Sequence, residues 1–243
     1  MNRFVRVLCE GPEDLSALRE LAERQWAYRL PNGLHGSGAG GVRQWRGLAS
    51  SGDEIMITVA GSRAQCASWP DLILQGSADR PYSHLGVSFD PNGELEPVWR
   101  KNMFEKVWQG APLRSTPDGC YEVSVHPSGV AVPVVPLPWS APGPPFAGLE
   151  DAHSLDRLVA QGCAMAYPEL TPMVERWIGD LRGTSRPVDH KTAAALWRAI
   201  LGPRTDLQGF AARVMGQDKR IWGAVAPLIQ SSPLWNGLKT LLG

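Results

Sequence analysis

Five acidic residues and one amide fall into three short clusters whose chemistry becomes useful only if the fold brings them together. Glu10 and Asp14 form E-G-x-x-D directly after an apolar run. Asp90 and Asn92 sit in D-P-N-G after another, and Glu150 and Asp151 are adjacent in G-L-E-D. Crowded carboxylates repel one another, and burying them unpaired is costly. The usual compensation is a divalent cation. Mg²⁺ or Mn²⁺ takes hard oxygen ligands, keeps several waters and bridges to substrate phosphates. With two ions about 4 Å apart, one activates water while the other stabilises the leaving oxygen. Each cluster also has an ordinary structural reading. Glu10 can end a strand, Asp14, Glu150 and Asp151 suit the first turn of a helix, and Asp-Pro-Asn-Gly is a good turn on composition alone.

The flanking segments decide whether the clusters meet. Phe4, Val5 and Val7 mark a buried strand that ends at Glu10; Gly11-Pro12 turns the chain, and Leu15, Leu18 and Leu21 mark a helix. Residues 54–61 read as a second buried strand ending in a glycine turn, 66–74 as a short helix and 84–89 as a third strand. Residues 94–109 form an amphipathic helix, 120–126 and 130–135 two further strands, and 136–145 a proline-rich crossing loop. The remainder is helical, over 149–166, 170–181, 190–201, 206–215, 219–229 and 233–242. Strands separated by helices predict an α/β fold, with a mostly parallel sheet flanked by helices over residues 1–165. Residues 166–243 form a helical C-terminal extension packed on it. In such sheets, sites lie beyond the carboxyl ends of the strands, where Glu10 and Asp90 fall.

Residues 30–52 read as a soft loop. Gly36, Gly38 and Gly41 satisfy G-x-G-x-x-G, but they follow a helix instead of a strand, which argues against dinucleotide binding. Within that loop Arg43 and Arg46 flank Trp45, an arrangement suited to a phosphate and a base or to simple packing.

Composition excludes several classes. Twenty-four basic and twenty-four acidic residues give zero formal net charge, so no polybasic tract announces nucleic acid. Four cysteines without C-x-x-C pairing read as thiols in a reducing compartment. Met1-Asn2-Arg3 leads straight into a strand, and no run approaches the ~18 apolar residues of a membrane span. A cytoplasmic protein is expected. H-E-x-x-H, G-x-S-x-G and the P-loop pattern are all missing. Tail tryptophans Trp177, Trp197, Trp222 and Trp235 lie at helical positions and are expected in the core, although a tail face used for self-association is the alternative.

The stretches EGPEDLSAL and LGVSFDPNG, each following a strand, resemble the TOPRIM fold of topoisomerases, bacterial primases and OLD-family nucleases. The later AGLEDAHSLDRLV resembles a segment of small stand-alone TOPRIM-like proteins related to OLD and phage-defence nucleases. The resemblance implies a Mg²⁺-dependent nuclease acting on DNA or RNA, in prokaryotic defence or nucleic-acid maintenance. On that pattern Glu10 is metal ligand or general acid/base with Asp14 as its helix partner, and Asp90 is the principal ligand. Glu150 and Asp151 supply a second metal position, and Lys191 stabilises charge on the phosphate. Arg43, Arg46, Lys101 and Lys191 hold the nucleic-acid backbone. Asn92 replaces the second acid of the family's D-x-D pair and brings one negative charge less. The alternative is a non-catalytic nucleic-acid-binding or regulatory subunit, and a second rival is a primase-like or nucleotide-hydrolysing activity. OLD-type enzymes carry an ATPase domain, so a separate ATPase is the partner implied here; a homo-oligomer is the other expected assembly.

Overall fold

The computed structural model describes residues 2–31, 44–68, 82–105, 107–108, 111–112, 114–117, 119–124, 131–202 and 207–243. The glycine loop with Gly36, Gly38, Gly41 and Arg43 lies outside them. The first half holds β1 (Phe4–Cys9), α1 (Pro12–Gln25), β2 (Gln44–Leu48), β3 (Glu54–Val59), α2 (Arg63–Cys66), β4 (His84–Phe89) and α3 (Glu96–Met103). Three two-residue strands follow, β5 (Val107–Trp108), β6 (Ala111–Pro112) and β7 (Arg114–Ser115), then β8 (Tyr121–Ser124) and β9 (Ala131–Pro138). The helical part comprises α4 (Leu155–Ala166), α5 (Thr171–Arg182), α6 (His190–Leu201), α7 (Leu207–Ala212), α8 (Lys219–Gln230) and α9 (Pro233–Leu242).

Seven strands form one sheet in the order β2-β3-β1-β4-β9-β8-β7. The central four, β3-β1-β4-β9, are parallel, and β2, β8 and β7 add antiparallel edges. This is the α/β class that the sequence predicts. Because side chains alternate along a strand, β1 feeds two cores. Val5, Val7 and Cys9 face α1 and the C-terminal helices, while Phe4 and Leu8 face the layer of Trp99, Met103 and Phe104. The first core continues without a break into Trp197, Phe210, Ile221 and Leu241, so the helical tail covers one whole face of the sheet.

Five boundaries differ from expectation. The short helix expected over 66–74 is instead α2, which ends at Cys66, and residues 69–74 lie outside the described residues. Gln44–Leu48, expected in the soft loop, is an edge strand whose Trp45 is buried against the first core, and the chain's turn at Gly52 pairs it with β3. Helix α3 stops at Met103 instead of continuing to 109. Helix α4 begins at Leu155, not at 149, because the Ser154 hydroxyl caps it by accepting the Arg157 N–H at 3.1 Å. Finally, β9 runs three residues into the expected crossing loop, through Pro136 and Pro138. Prolines lack a ladder donor, and here none is needed. Trp139 N–H donates to the Phe89 carbonyl, so Pro136 and Pro138, one residue out of phase, turn their nitrogens to the other edge, past the end of β8.

The last helix lies close on β9. A Cβ at Gly237 would sit 2.6 Å from Leu137 Cδ2 and 2.9 Å from the Pro136 carbonyl oxygen, so only glycine permits this approach. Trp197 and Trp235 are buried and Trp222 is half-buried, whereas Trp177 departs from expectation and is 40% exposed. All four cysteines are buried thiols, none of them in a disulfide. Among the described residues no helix is long and apolar enough to cross a membrane.

Candidate active site

Glu10 follows β1 and Asp90 follows β4, its immediate neighbour in the sheet, so pairing alone sets them side by side at the carboxyl edge. The Asp90 backbone N–H donates to Glu10 Oε1 at 2.9 Å. Asp14 stands in the first turn of α1, where its Oδ2 accepts the Gly11 N–H at 3.0 Å. Asp90 Oδ1 in turn accepts the Leu155 N–H at 2.9 Å, at the start of α4. Backbone amides at strand ends and helix starts therefore orient all three carboxylates. None of the three has an ion pair among the described residues.

These acids line a cleft of about 400 Å³ together with Glu13, Asp156, Lys191 and Arg198. Its floor is the edge of the sheet and the Gly61-Ser62 turn after β3, where Gly61 (φ 111°) donates its N–H to the Glu10 carbonyl at 3.1 Å. The opposite wall comes from the first turn of α4 and from α6. There Arg198 pairs with Glu13 at 2.9 Å, and Lys191 is exposed, with no ion pair among the described residues.

The electrostatics follow from burial and crowding. Burial raises the Asp14 carboxyl to about 7, with Glu10 adding to the rise and the Gly11 amide opposing it. The Trp139 indole N–H faces the same carboxyl and lowers its pKa, although it forms no full hydrogen bond. Burial lifts Asp90 well above the usual carboxylate range, and Asp14 and Glu10 push it further. Glu10 is raised by burial against the lowering pull of the Asp90 amide, Arg63 and Lys191. Glu13 rises to about 7 through burial and Asp156, with Arg198 opposing, and Asp156 is raised by burial against Lys191. The Cys9 and Cys66 thiols beneath this edge are also raised by burial, so they remain neutral and offer no thiolate ligand.

No family model matches the chain, and no curated protein matches it. Among solved structures, the hypothetical protein PH0156 from Pyrococcus horikoshii OT3 is similar to it. The TM-score is 0.69 at 15% identity, over 99% of this chain and 100% of that one. At that identity the likeness concerns the fold.

Of the residues singled out by sequence, Glu10, Asp14, Asp90 and Lys191 meet in the cleft; Asn92, Glu150 and Asp151 lie outside it. Asn92 occupies a left-handed turn position (φ 53°), and its N–H donates to the His153 carbonyl at 3.0 Å. Glu150 is exposed and meets His190 Nε2 through its backbone carbonyl at 3.1 Å. Asp151 forms an ion pair with Arg157, whose guanidinium is fully buried and also clasps the Gly143 carbonyl. Asp151 and the Glu150 backbone therefore fasten the loop before α4, and neither side chain lines the cleft. Arg46 pairs with Glu54 at the sheet edge, Lys101 is exposed on α3, and neither lines the cleft.

Glu13, Asp156 and Arg198 are cleft residues that the sequence reading misses. Asp156 had a readable signal. Ser154 is a better helix cap than anything near 149, and an acid two residues after a cap falls in the first turn. Arg198 has none, being one arginine on an amphipathic helix.

Proposed function

We propose that this cleft hydrolyses phosphodiester bonds of DNA or RNA with a hard divalent cation, in the manner of TOPRIM-type nucleases. The observation that carries the reading is the meeting of Glu10, Asp14 and Asp90 at adjacent strand and helix ends, facing an uncommitted Lys191. The donor set suits Mg²⁺ or Mn²⁺. It is all carboxylate oxygen, the nearby thiols are protonated, and the raised carboxyls mark negative charge that the protein itself leaves uncompensated. Glu10, Asp14 and Asp90 would hold the ion, which would neutralise phosphate charge and lower the pKa of a bound water. Lys191 places its ammonium against the phosphate, and Asp156 beside it keeps that charge at the cleft. If Asp14 and Asp90 alone hold the ion, Glu10 is instead placed to take the proton of the attacking water.

One observation favours a second reading, a non-catalytic nucleic-acid-binding or regulatory subunit. Among the described residues no three His, Cys, Asp or Glu side chains already form a ligand group, and Asn92 does not line the cleft. A cytoplasmic setting in defence or nucleic-acid maintenance, with a separate ATPase as partner, accompanies either reading.

The test is incubation with single- and double-stranded DNA and RNA, with Mg²⁺, Mn²⁺ or EDTA. Wild type is expected to cut only with metal, and Glu10→Ala to abolish cutting. Cutting that survives Glu10→Ala refutes the assignment. Binding without cutting by the wild type supports the second reading instead.

A further inference from the structure

Helix α4 also borders a second groove, of about 520 Å³, whose other walls are the loop 142–147, α5 and α8. That size falls within the ~300–1,000 Å³ of small-molecule sites. The groove shares no residue with the cleft. Its walls are held by contacts of their own. Arg157 donates to the Gly143 carbonyl, Gln161 Nε2 donates to the Pro144 carbonyl, and the buried Phe146 ring packs on Trp197 with centroids 6.2 Å apart. A groove fixed before its ligand arrives loses less freedom on binding.

The lining is apolar in body and one-sided in its polar groups. Pro142, Pro144 and Pro145 have no N–H, and Phe146, Met165 and Leu228 supply apolar surface, with Met165 54% exposed. No Lys, Arg or His lines the groove, and the Thr171 hydroxyl is already 3.2 Å from the Ala164 and Tyr167 carbonyls. Two acceptors remain. Gln161 is 9% exposed, yet its Oε1 has no hydrogen-bond partner, and the bond from Nε2 fixes which end of the amide is which. Glu175 is exposed, is the one charged side chain of the lining, and has neither hydrogen bond nor ion pair among the described residues. The charge of Arg157, behind the loop, is already met by Asp151.

A molecule that fits must therefore donate hydrogen bonds and carry positive charge on a body that favours apolar contact. We propose that this groove binds a small organic cation, a primary ammonium or guanidinium on an alkyl or aromatic body. Its N–H groups turn to Gln161 Oε1 and Glu175, and its body displaces water from the prolines, Phe146, Met165 and Leu228. The three prolines remove the N–H groups that a peptide main chain would pair with, so the ligand is a free molecule and not a docked strand. An anion is rejected, because it would meet Glu175 and an acceptor that is already unpaired.

Three probes with similar aromatic bodies separate these contributions: phenethylamine, phenethyl alcohol and phenylpropionate. Each is titrated at neutral pH, to about 20 mM, into the full chain carrying carbon-13 methionine methyls, with the Met165 resonance assigned by Met165→Leu. The amine is expected to shift Met165 saturably, with a dissociation constant on the order of millimolar. The alcohol should bind about fivefold more weakly, and the acid should give no saturable shift. Glu175→Gln, at an exposed position, should weaken the amine by about threefold to fivefold and leave the alcohol unchanged. Absence of a Met165 shift with the amine overturns the proposal. Equal affinity for the three probes, or an amine affinity that Glu175→Gln does not change, overturns it too, since the groove would then be apolar surface without selection for charge.

Discussion

Replacing Asp14 by asparagine separates the cost of the crowded carboxylates from their use. In the folded chain the Asp14 carboxyl rises from an ordinary 3.8 to about 7, chiefly by burial and then by Glu10. An acid with a raised pKa binds more protons folded than unfolded, so stability falls as pH climbs from about 4 to about 7 and then levels off. At ~1.4 kcal/mol per pH unit, the full effect for Asp14 is ~4 kcal/mol. Glu10 and Asp90 titrate with it, and removing one charge eases the others, so a realistic figure is on the order of 2–4 kcal/mol. The asparagine side chain keeps an oxygen for the Gly11 N–H and carries no charge. In EDTA, urea unfolding should therefore show Asp14→Asn close to wild type near pH 4 and more stable than wild type by ~2–4 kcal/mol near pH 8. Added Mg²⁺ should raise the wild-type midpoint at the higher pH and leave the variant nearly unmoved, because the cation compensates charge that the variant lacks. A variant no more stable than wild type near pH 8, with no trend in the difference between the two pH values, refutes this account of the site's electrostatics.

Two further substitutions probe placement and packing. Asp156→Asn should diminish the Mg²⁺-induced rise in melting temperature by taking a carboxylate from the cleft, whereas Glu150→Ala, on the exposed loop, should leave that rise intact; equal behaviour of the pair would remove Asp156 from the site. Gly237→Ala should lower the urea midpoint by a margin equivalent to ~1–3 kcal/mol, despite the ~1 kcal/mol that alanine gains in a helix, since the Pro136 carbonyl 2.9 Å from the new Cβ is backbone and cannot rotate away. A midpoint at or above that of wild type would mean that α9 shifts freely on the sheet.

The sheet's parallel core was legible because its strands are short, mostly apolar runs rich in β-branched residues, such as VRVL and EIMITV, bounded by glycine or proline turns. Trp45 was harder. Its strand is five residues long, sits at an edge and alternates exposed with buried residues, so the glycines before it dominated the local pattern. The prolines of β9 misled for a specific reason. A proline is hostile to a strand only where a ladder donor is required, and that depends on where the neighbouring strand stops. At the site, Glu10 and Asp90 were readable because strand ends in a parallel sheet are neighbours whatever the loops do. Glu150 and Asp151 mislead because an apolar pattern begins at Leu149, six residues before the helix does; the acid that enters the cleft is the one counted from Ser154. Arg157 could not have been foreseen as a buried clamp, because nothing local distinguishes it from a solvated arginine.

The cleft also changes the meaning of the helical tail. Its acidic wall is built by residues 10–14 and 90, and its basic wall by Lys191 and Arg198 from α6. The two walls are joined by Arg198–Glu13 across the cleft, and by a hydrophobic core that runs from Leu15 and Leu18 of α1 into Trp197 and Phe210. Charge placed on one wall is thus offset in part by the other, with Arg63 of α2 adding to the pull on Glu10. A carboxylate cluster at a sheet edge with no facing cations would be driven to protonate, since desolvation already pushes each carboxyl upward. The lowering pull of Lys191 on Glu10, Glu13 and Asp156 keeps these acids nearer to ionised than burial alone would leave them. That is the condition under which they can still attract a cation at neutral pH. The helices after residue 166 are therefore part of the site's electrostatics as well as the cover of the sheet.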